Sequence, residues 1–319
     1  MNSSRAIGGY FDLETRMGGS TYHDGLIELN SARNAFEYIL RVKKPRRVYM
    51  PKFTCDVMLE PFQKTNTEYV HYALNDQLEI ADTIKPMVDE LVLYTNYFGI
   101  KDTYTQKLSK QFGEQLIVDC SQAFYYVSAG KEDVFYSPRK FVGVADGAYL
   151  KTEEILNKKL EFDTSYQRME HLLKRVDMGA EAGYESFKKN DESLVGEPIK
   201  HMSHLTKKIL DSLNYEKIRE ARLRNFGLLH AMLGDKNELT IDHTQNFVPM
   251  VYPFKPSDST GLRQRLIEQK VFVPTYWPNV FEWCNEGEVE YQLARDIIPL
   301  PIDQRYSKKD MQRITEILI

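Results

Sequence analysis

One lysine of the sequence lies in a segment where its amine could act as a nucleophile. Lys140 belongs to the segment 135–147, which is mostly apolar and aromatic apart from Arg139 and Asp146. Apolar surroundings disfavour the ammonium form, and the neutral amine is the form that attacks carbonyl groups in Schiff-base chemistry. Lysines are rarely buried without a partner, so an ordinary solvated loop lysine remains the other interpretation.

A carboxylate and a helix start could complete such a site. Asp119 closes the apolar run 116–118, and ligands of open parallel sheets bind beyond the carboxyl ends of the strands. A single aspartate there could also be a helix cap. Lysine and aspartate are nevertheless the two side chains that pyridoxal phosphate needs, for its aldehyde and its pyridine nitrogen. The predicted helix that opens with Ser31, Ala32 and Arg33 offers backbone N–H groups for a phosphate.

The residues around these groups alternate between strand and helix patterns. The predicted segments are helix 31–41, strand 48–50, helix 54–64, strand 91–97, helix 104–112 and strand 116–119. Strands separated by single helices pair in parallel. Two further strand-like pieces, 133–137 and 147–150, flank Lys140. The pattern therefore predicts an α/β fold with a mainly parallel sheet that brings Asp119 and Lys140 to one edge.

The rest of the chain is predicted to contain more helices and a second, smaller unit. Residues 153–192 have helical spacing, and residues 202–233 form one long helix or two helices that break near Asn214. Further along are predicted strands at 247–252 and 271–274 and predicted helices at 261–269 and from Lys308 onward. We therefore divide the chain into a large domain, residues 1–200, and a small C-terminal domain, residues 201–319.

Four short segments in the first half of the chain carry a family resemblance. They are residues 29–35 (LNSARNA), 51–55 (PKFTC), 118–123 (VDCSQA) and 136–140 (YSPRK). In this order they resemble motifs of the DegT/DnrJ/EryC1/StrS sugar aminotransferases. The segments 202–203, 222–225, 276–278 and 300–306 are similar to the small domain of the same family. The resemblance therefore covers nearly the whole chain, as a divergent and compact member.

The resemblance implies a fold-type I transferase that depends on pyridoxal phosphate. Its large domain would be a three-layer αβα unit with a mainly parallel sheet, followed by a small C-terminal α/β domain. The implied reaction converts a keto group on a nucleotide-linked sugar into an amine, with glutamate as the usual donor, in surface-polysaccharide or amino-sugar biosynthesis. The implied assembly is a homodimer whose active sites lie at the subunit interface.

Matched position by position, the resemblance gives each motif a role. Lys140 would bind the cofactor's aldehyde and then act as general acid and base. Asp119 would keep the pyridine nitrogen protonated, and Gln122 would lie near the phenolic oxygen. The turn 31–33 would hold the phosphate through its backbone amides and the Ser31 hydroxyl.

The sequence departs from the family pattern at several of these positions. Cys55 stands where many members place an aromatic residue that stacks on the pyridine ring. Phe135 replaces a phosphate-binding serine, and Ser137 could substitute for it. Asn96 replaces a histidine common after the third strand, and Asn96 and Tyr97 are the predicted substrate contacts. These departures leave two alternatives: a binding or regulatory protein that kept the fold, or a related sugar dehydratase, in which histidine typically replaces the lysine.

Composition excludes several other classes of protein. The 42 basic and 46 acidic residues give a formal net charge of -4, so no overall positive field attracts nucleic acid or anionic lipid. Without an apolar run of about 18 residues or a signal peptide, we expect a cytoplasmic protein that does not enter a membrane. The three cysteines, Cys55, Cys120 and Cys284, are too far apart for a disulfide framework or a zinc motif. We therefore predict no metal site.

Overall fold

The computed structural model describes residues 12–16, 19–242 and 247–319, and this part of the chain forms two sheets with flanking helices. The strands are β1 (Ile27–Leu29), β2 (Arg47–Pro51), β3 (Glu68–Tyr72), β4 (Glu90–Thr95), β5 (Leu116–Cys120), β6 (Asp133–Tyr136), β7 (Ala148–Lys151), β8 (Val251–Phe254) and β9 (Ile298–Pro301). The α-helices are α1 (Ala32–Lys43), α2 (Leu59–Thr65), α3 (Asp102–Phe112), α4 (Glu170–Met178), α5 (Ala180–Ser193), α6 (His204–Asp211), α7 (Tyr215–Leu233), α8 (Leu262–Glu268), α9 (Val280–Trp283), α10 (Val289–Asp296) and α11 (Lys308–Leu318).

The large sheet has seven strands in the order β1-β7-β6-β5-β4-β2-β3. Five neighbouring strands of this sheet are parallel to one another: β6, β5, β4, β2 and β3. Strand β7 is antiparallel to both of its neighbours, β6 and β1. The carboxyl ends of β1, β2, β4, β5 and β6 therefore meet at one edge of the sheet, which we call the carboxyl edge. The opposite edge is the amino edge.

Each face of the large sheet carries its own hydrophobic core. Successive residues of a strand point to opposite faces, so Leu91 and Leu93 of β4 join one core while Val92 and Tyr94 join the other. The first core contains residues of α1 and α2, and the second contains residues of α3 and of the C-terminal third of the chain. This arrangement confirms the predicted αβα fold with a mainly parallel sheet.

Helix α1 shows why the sequence places a helix start at the carboxyl edge. The Ser31 hydroxyl accepts a hydrogen bond from the Asn34 N–H at 3.1 Å, which caps the first turn. Phe36 and Ile39 are fully buried against the sheet. The helix ends at Lys44, which adopts the left-handed conformation with φ 47°.

The C-terminal part of the chain builds a two-stranded antiparallel sheet, β8 with β9. Of the two alternatives for residues 202–233, the structure contains two helices, and the Asn214 side chain caps the second, α7, by accepting from the Lys217 N–H at 3.0 Å. The Met250 N–H donates to the Phe98 carbonyl at 2.8 Å and so joins this unit to the carboxyl edge. The domain boundary at residue 200 stays a prediction.

Several predicted segments were wrong in extent or type. The helix predicted at 54–64 begins only at Leu59, after a single 3-10 turn, and residues 153–165 contain no helix. The strand predicted at 247–252 is β8, which starts at Val251. Residues 271–274 form no strand, since their backbone pairs with no other strand among the described residues.

The described ranges contain no helix with the length and apolar character needed to cross a membrane.

Candidate active site

Asp119 and Lys140 lie on neighbouring strands at the carboxyl edge. Asp119 is the fourth residue of β5 and pairs with Phe135 of β6, and β6 leads through Ser137 into the single 3-10 turn Pro138–Lys140. Asp119 is 7% exposed, and burial raises the pKa of its carboxyl group. The positive charge of Lys140 and hydrogen bonds from Ser121 oppose that rise. The lysine and the aspartate therefore interact electrostatically.

Lys140 itself is exposed, which corrects the expectation of an apolar environment. The apolar neighbours that suggested burial point elsewhere, because Phe135 belongs to the core on one face of the sheet and Phe141 to the core on the other. The Lys140 Nζ atom lies 5.9 Å from the centroid of the Tyr276 ring. The amine is therefore free to meet a ligand at the carboxyl edge.

Cys55 and Tyr276 complete the surroundings of Lys140. Burial raises the pKa of the Cys55 thiol, and the charge of Lys140 partly lowers it again. Burial also raises the pKa of Tyr276 to about 12, with a smaller contribution from Cys55. Tyr276 comes from the loop after α8, so the C-terminal part of the chain contributes to the site. Sequence reasoning assigned this tyrosine no role, because only the fold brings it to Lys140.

An aromatic layer lies beneath the site. The Phe53 ring lies 5.1 Å from the Trp277 ring and 5.5 Å from the Tyr97 ring, measured between centroids. The Tyr97 hydroxyl donates to the Phe53 carbonyl at 2.8 Å, and Phe53 and Tyr97 are fully buried. Trp277 is 7% exposed. These rings support the floor of the site, and the Tyr97 hydroxyl is already bound within the protein.

The two predicted substrate contacts therefore face the protein interior. Asn96 is fully buried, and its side chain donates to Asp102 at 2.7 Å and accepts from the Lys101 N–H at 3.1 Å. Tyr97 is enclosed as described above. Both residues hold the turn after β4 in place, and neither presents a free polar group to the carboxyl edge.

Gln122 carries a buried donor that has no partner. Its Oε1 accepts from the Phe98 N–H at 2.8 Å, whereas its Nε2 makes no hydrogen bond to any described residue. The backbone of Gly99, whose φ is +68°, packs closely against Gln122. A Cβ on this residue would lie 2.8 Å from the backbone carbonyl oxygen of Gln122. A buried amide nitrogen without an acceptor is costly, and an acceptor on a bound ligand would satisfy it.

The start of α1 lies at the same edge. Its first turn includes Ala32 and Arg33, whose N–H groups have no acceptor within the helix. The Arg33 side chain is bound elsewhere, to Glu60 at 2.6 Å and the Leu194 carbonyl at 3.2 Å. Ser137 is 7% exposed at the end of β6, whereas Phe135 is fully buried in the core. Any phosphate contact here would use the backbone amides and hydroxyl groups.

A separate group of possible metal ligands lies away from Lys140, near β3. Cys284, Glu288 and Glu290 bring ligand atoms within 4.8 Å of one another. Two of these side chains already have partners: Lys52 forms an ion pair with Glu288, and the Leu74 N–H donates to Glu290 at 2.6 Å. The prediction of no metal therefore stays a prediction.

Comparison with known proteins gives no match by sequence and clear matches by structure. No protein-family model and no curated protein matches the chain. A DegT/DnrJ/EryC1/StrS aminotransferase from Brucella abortus is 15% identical with a TM-score of 0.59, over 92% of this chain and 84% of that one. Spr1654 from Streptococcus pneumoniae in its PLP form is 14% identical with a TM-score of 0.60, over 91% and 85%. The sugar aminotransferase CalS13 from Micromonospora echinospora is 10% identical with a TM-score of 0.59, over 92% and 86%.

These similarities extend over nearly the whole chain and concern its fold. Identities of 10 to 15% lie too low to transfer an activity, but the shared architecture includes both the large sheet and the C-terminal unit. The predicted resemblance is therefore confirmed at the level of structure: this chain has the fold of the DegT/DnrJ/EryC1/StrS sugar aminotransferases.

Proposed function

We propose that the protein is a pyridoxal-phosphate-dependent aminotransferase that transfers an amino group from glutamate to a keto group of a nucleotide-linked sugar. One observation carries the proposal: at the carboxyl edge, the charge of the exposed Lys140 amine opposes the rise in the pKa of the buried Asp119 carboxyl group. The solved structures that share this fold include aminotransferases. Its place in surface-polysaccharide or amino-sugar synthesis and its cytoplasmic location belong to the same proposal.

The residues present fit the cofactor. The buried Asp119 carboxylate would bind the protonated pyridine nitrogen. The positive charge of that nitrogen would oppose the rise in the pKa of Asp119 that burial causes. The unpartnered Gln122 Nε2 would donate to the phenolic oxygen. Amides of Ala32 and Arg33 would bind the phosphate, together with the hydroxyl groups of Ser31 and Ser137. When bound, pyridoxal phosphate supplies an electron sink for bond breaking at the amine-bearing carbon.

The protein's own groups then hold and move protons. Lys140 Nζ would bind the cofactor covalently at rest and, once released by substrate, would take a proton from one carbon and return it to another. The positive charges of Lys140 and of the bound pyridine nitrogen would favour the ionised form of the Asp119 carboxyl group. The Tyr276 ring lies beside the lysine, with its centroid 5.9 Å from Nζ, and would limit the directions from which a substrate can approach. Cys55 would lie beside the pyridine ring, where it offers little stacking area.

The proposal is tested first by colour. Protein purified with pyridoxal phosphate should show a visible absorbance band that borohydride bleaches, and Lys140→Ala should abolish it. Lys131→Ala is the matched control, because Lys131 precedes β6 as Lys140 follows it and is exposed in an ion pair with Glu114. Loss of the band in both variants, or colourless wild-type protein, would refute the proposal.

A binding or regulatory protein is the second candidate, favoured by the non-stacking Cys55 and by the interior orientation of Asn96. The two candidates differ in one reaction with glutamate. An aminotransferase bleaches its visible band and releases 2-oxoglutarate, whereas a binding protein keeps the band. A sugar dehydratase is disfavoured by the presence of Lys140, and loss of water from the sugar without incorporation of an amine would reveal one.

We extend the proposal to a homodimer with shared active sites. Helices α4 and α5 expose large apolar side chains, among them Leu173 at 62%, Val176 at 84% and Met178 at 70%. Such a surface favours burial against another subunit. Sedimentation equilibrium should give twice the monomer mass, and Val176→Glu should shift the protein toward the monomer.

A further inference from the structure

The turn that carries Lys140 is closed by its own backbone. The N–H groups of Phe141 and Val142 both donate to the Pro138 carbonyl at 2.9 Å. The Lys140 side chain itself is exposed. The point from which its amine projects therefore depends on what holds the backbone of this turn in place.

Two side chains from the C-terminal part of the chain converge on the Phe141 carbonyl, which directly follows Lys140. Gln304 Nε2 donates to this carbonyl at 2.9 Å, and Arg222 Nη2 donates to it at 3.2 Å. A carbonyl oxygen has two lone pairs, so both acceptor positions of Phe141 are used. The Arg222 guanidinium also lies 4.5 Å from the centroid of the Phe141 ring, within the range of a cation–π contact. We call Arg222 and Gln304 the carbonyl clamp.

Arg222 is placed to hold backbone groups. It is 1% exposed, and its Nη1 donates to the Met250 carbonyl at 2.8 Å. Its Nε has no hydrogen-bond partner among the described residues. Burial lowers the pKa of Arg222 to about 10, so the side chain stays charged at neutral pH. The buried guanidinium therefore ties the Phe141 carbonyl to the segment that precedes β8.

Gln304 is held by the same helix that carries Arg222. Asn225 of α7 is fully buried, and its Nδ2 donates to three backbone carbonyls of the loop 302–306 at 3.0 to 3.2 Å. Gln304 lies within this loop, and its buried Oε1 has no hydrogen-bond partner among the described residues. The contact with the Phe141 carbonyl is therefore the one that orients the Gln304 amide.

We propose that Arg222 and Gln304 are positioning residues, which fix the Phe141 carbonyl and thereby the backbone from which the Lys140 amine projects. The proposal rests on the proposed function, because the position of this amine affects turnover only if the amine reacts. Displacing a reacting group by about 1 Å can slow a reaction about 100-fold, so a small shift of this turn has a large kinetic effect. The C-terminal part of the chain would then take part in catalysis through the turn alone.

Hydrogen exchange of the full-length protein tests the carbonyl clamp without any turnover. Gln304→Met keeps the length of the side chain but removes the donor, so the amides of residues 139–142 should exchange about fivefold faster. Asn237→Leu is the matched control. Asn237 is also a partly buried amide of the C-terminal part and donates to the Pro253 carbonyl at 2.9 Å, away from the Lys140 turn. Equal acceleration at residues 139–142 in both variants, or none in Gln304→Met, would overturn the proposal.

Arg222→Lys separates hydrogen-bonding geometry from charge. The ammonium group keeps the positive charge but lacks the planar fork that directs donors to the Phe141 and Met250 carbonyls together. Residues 139–142 should therefore exchange faster in this variant as well. Exchange at the wild-type rate would assign the role of Arg222 to its charge and overturn its part in the carbonyl clamp. If Arg222→Lys does not fold, Gln304→Met still decides the proposal.

Steady-state kinetics test the consequence for Lys140. In Gln304→Met, kcat should fall about tenfold while KM for glutamate keeps its wild-type value, because the groups proposed to bind the cofactor are unchanged. The visible circular dichroism of the bound cofactor should change too, since it reports the geometry around the lysine. Asn237→Leu should alter neither quantity. A wild-type kcat in Gln304→Met, despite faster exchange of the turn, would overturn the positioning role.

Failure of this inference and failure of the proposed function give different results. If the wild-type protein forms the visible band and converts glutamate, and Gln304→Met does so at the same rate, the positioning role alone is overturned. The other case is a colourless wild-type protein whose residues 139–142 exchange faster in Gln304→Met but not in Asn237→Leu. That result would overturn the proposed aminotransferase and uphold the carbonyl clamp.

Discussion

Two buried carboxylates on adjacent strands of the large sheet differ in their hydrogen-bond and ion-pair partners. Glu90 begins β4 at the amino edge, and Asp119 lies near the end of β5 at the carboxyl edge. Glu90 accepts from the Met87 N–H at 3.0 Å and from the Tyr49 hydroxyl at 3.1 Å, and it pairs with Arg46 and Arg47. Asp119 accepts from the Ser121 N–H at 2.7 Å and forms no ion pair with an arginine in the described part of the chain.

The pKa values follow this difference. The backbone hydrogen bond from Met87 lowers the pKa of Glu90, with the help of Tyr49 and the two arginines, although desolvation opposes them. Burial instead raises the pKa of Asp119. The contacts of Glu90 therefore fit a structural role at the amino edge, whereas the fewer contacts of Asp119 fit the cofactor contact proposed for it at the carboxyl edge.

The largest expected effect is on catalysis by Asp119→Asn. The neutral amide cannot hold a positive charge on the cofactor's ring, so the turnover rate should fall about 100- to 1,000-fold, as for loss of other preorganised electrostatic groups. The free energy of unfolding should be unchanged or higher, because a buried carboxylate without an ion pair is removed. Steady-state rates and urea unfolding of the same preparation measure both, and a large loss of stability would contradict the assignment.

The mirror experiment at the amino edge is Glu90→Gln. Removing the charge of Glu90 weakens its contacts with Arg46 and Arg47, whose side chains are 41% and 31% exposed, and should lower the free energy of unfolding by about 1 kcal/mol. The turnover rate per folded molecule should stay at the wild-type value. Glu68→Gln provides the control, because Glu68 also pairs with Arg47 but its side chain is 65% exposed. If Glu90→Gln lost activity without losing stability, the contrast between the edges would fail.

The pH dependence of stability should have opposite signs at the two edges. Burial raises the pKa of Asp102, beside Asn96 at the carboxyl edge, from 3.8 to about 6. Between these values the folded protein keeps a proton that the unfolded chain releases, so the stability contributed by Asp102 is present at pH 4 and is lost as pH rises through 6. Glu90, with its lowered pKa, contributes stability that is lost as pH falls.

The variant that isolates this effect is Asp102→Asn, which still accepts the hydrogen bond from Asn96. In the wild type, Asp102 should lower the free energy of unfolding by about 2 kcal/mol between pH 4 and pH 7. In the variant this part of the decline should be absent. Urea unfolding at several pH values measures it. A variant whose pH profile matches that of the wild type would show that Asp102 titrates normally.

The smallest expected effect comes from an aromatic ring introduced at position 55, near Lys140. Cys55→Phe restores an aromatic ring where stacking is worth about 1 kcal/mol, so cofactor should be retained roughly fivefold more tightly against dialysis. Cys55→Ala should bring no such gain. Tighter retention in both variants would trace the effect to loss of the thiol rather than to stacking.

The sequence predicted the elements that carry a strong periodic pattern and a cap. Helix α1, with Ser31 at its start, and strand β5 were predicted within two residues of their observed ends. Strands β1, β3 and β9 were missed for identifiable reasons. Strand β1 has three residues, β3 is an exposed edge strand, and β9 contains Pro299 and Pro301, which argue against a strand in any local pattern.

Residues of the candidate site could be predicted from the sequence only where a single local motif contains them. Lys140 and Asp119 could be named because each lies at or just after the end of a strand and matches a motif. Asn96 and Tyr97 also follow a strand, but the structure turns them inward, since a local pattern does not tell on which side of a turn a side chain lies. Tyr276 comes from a distant segment, and its proximity to Lys140 depends on tertiary packing alone.

The hydrogen bonds of the Arg222 guanidinium limit how parts of this chain could be exchanged with parts of another protein. Arg222 lies on α7 and holds the carbonyl of Phe141, next to Lys140, together with that of Met250, which precedes β8. Residues on both sides of the predicted boundary thus share one buried charge. Exchanging the C-terminal part for that of another protein would remove the guanidinium and leave the Phe141 carbonyl without this donor, unless the new part placed a donor at the same position. A functional chimaera would therefore have to inherit α7, the Lys140 turn and the segment before β8 as a single unit.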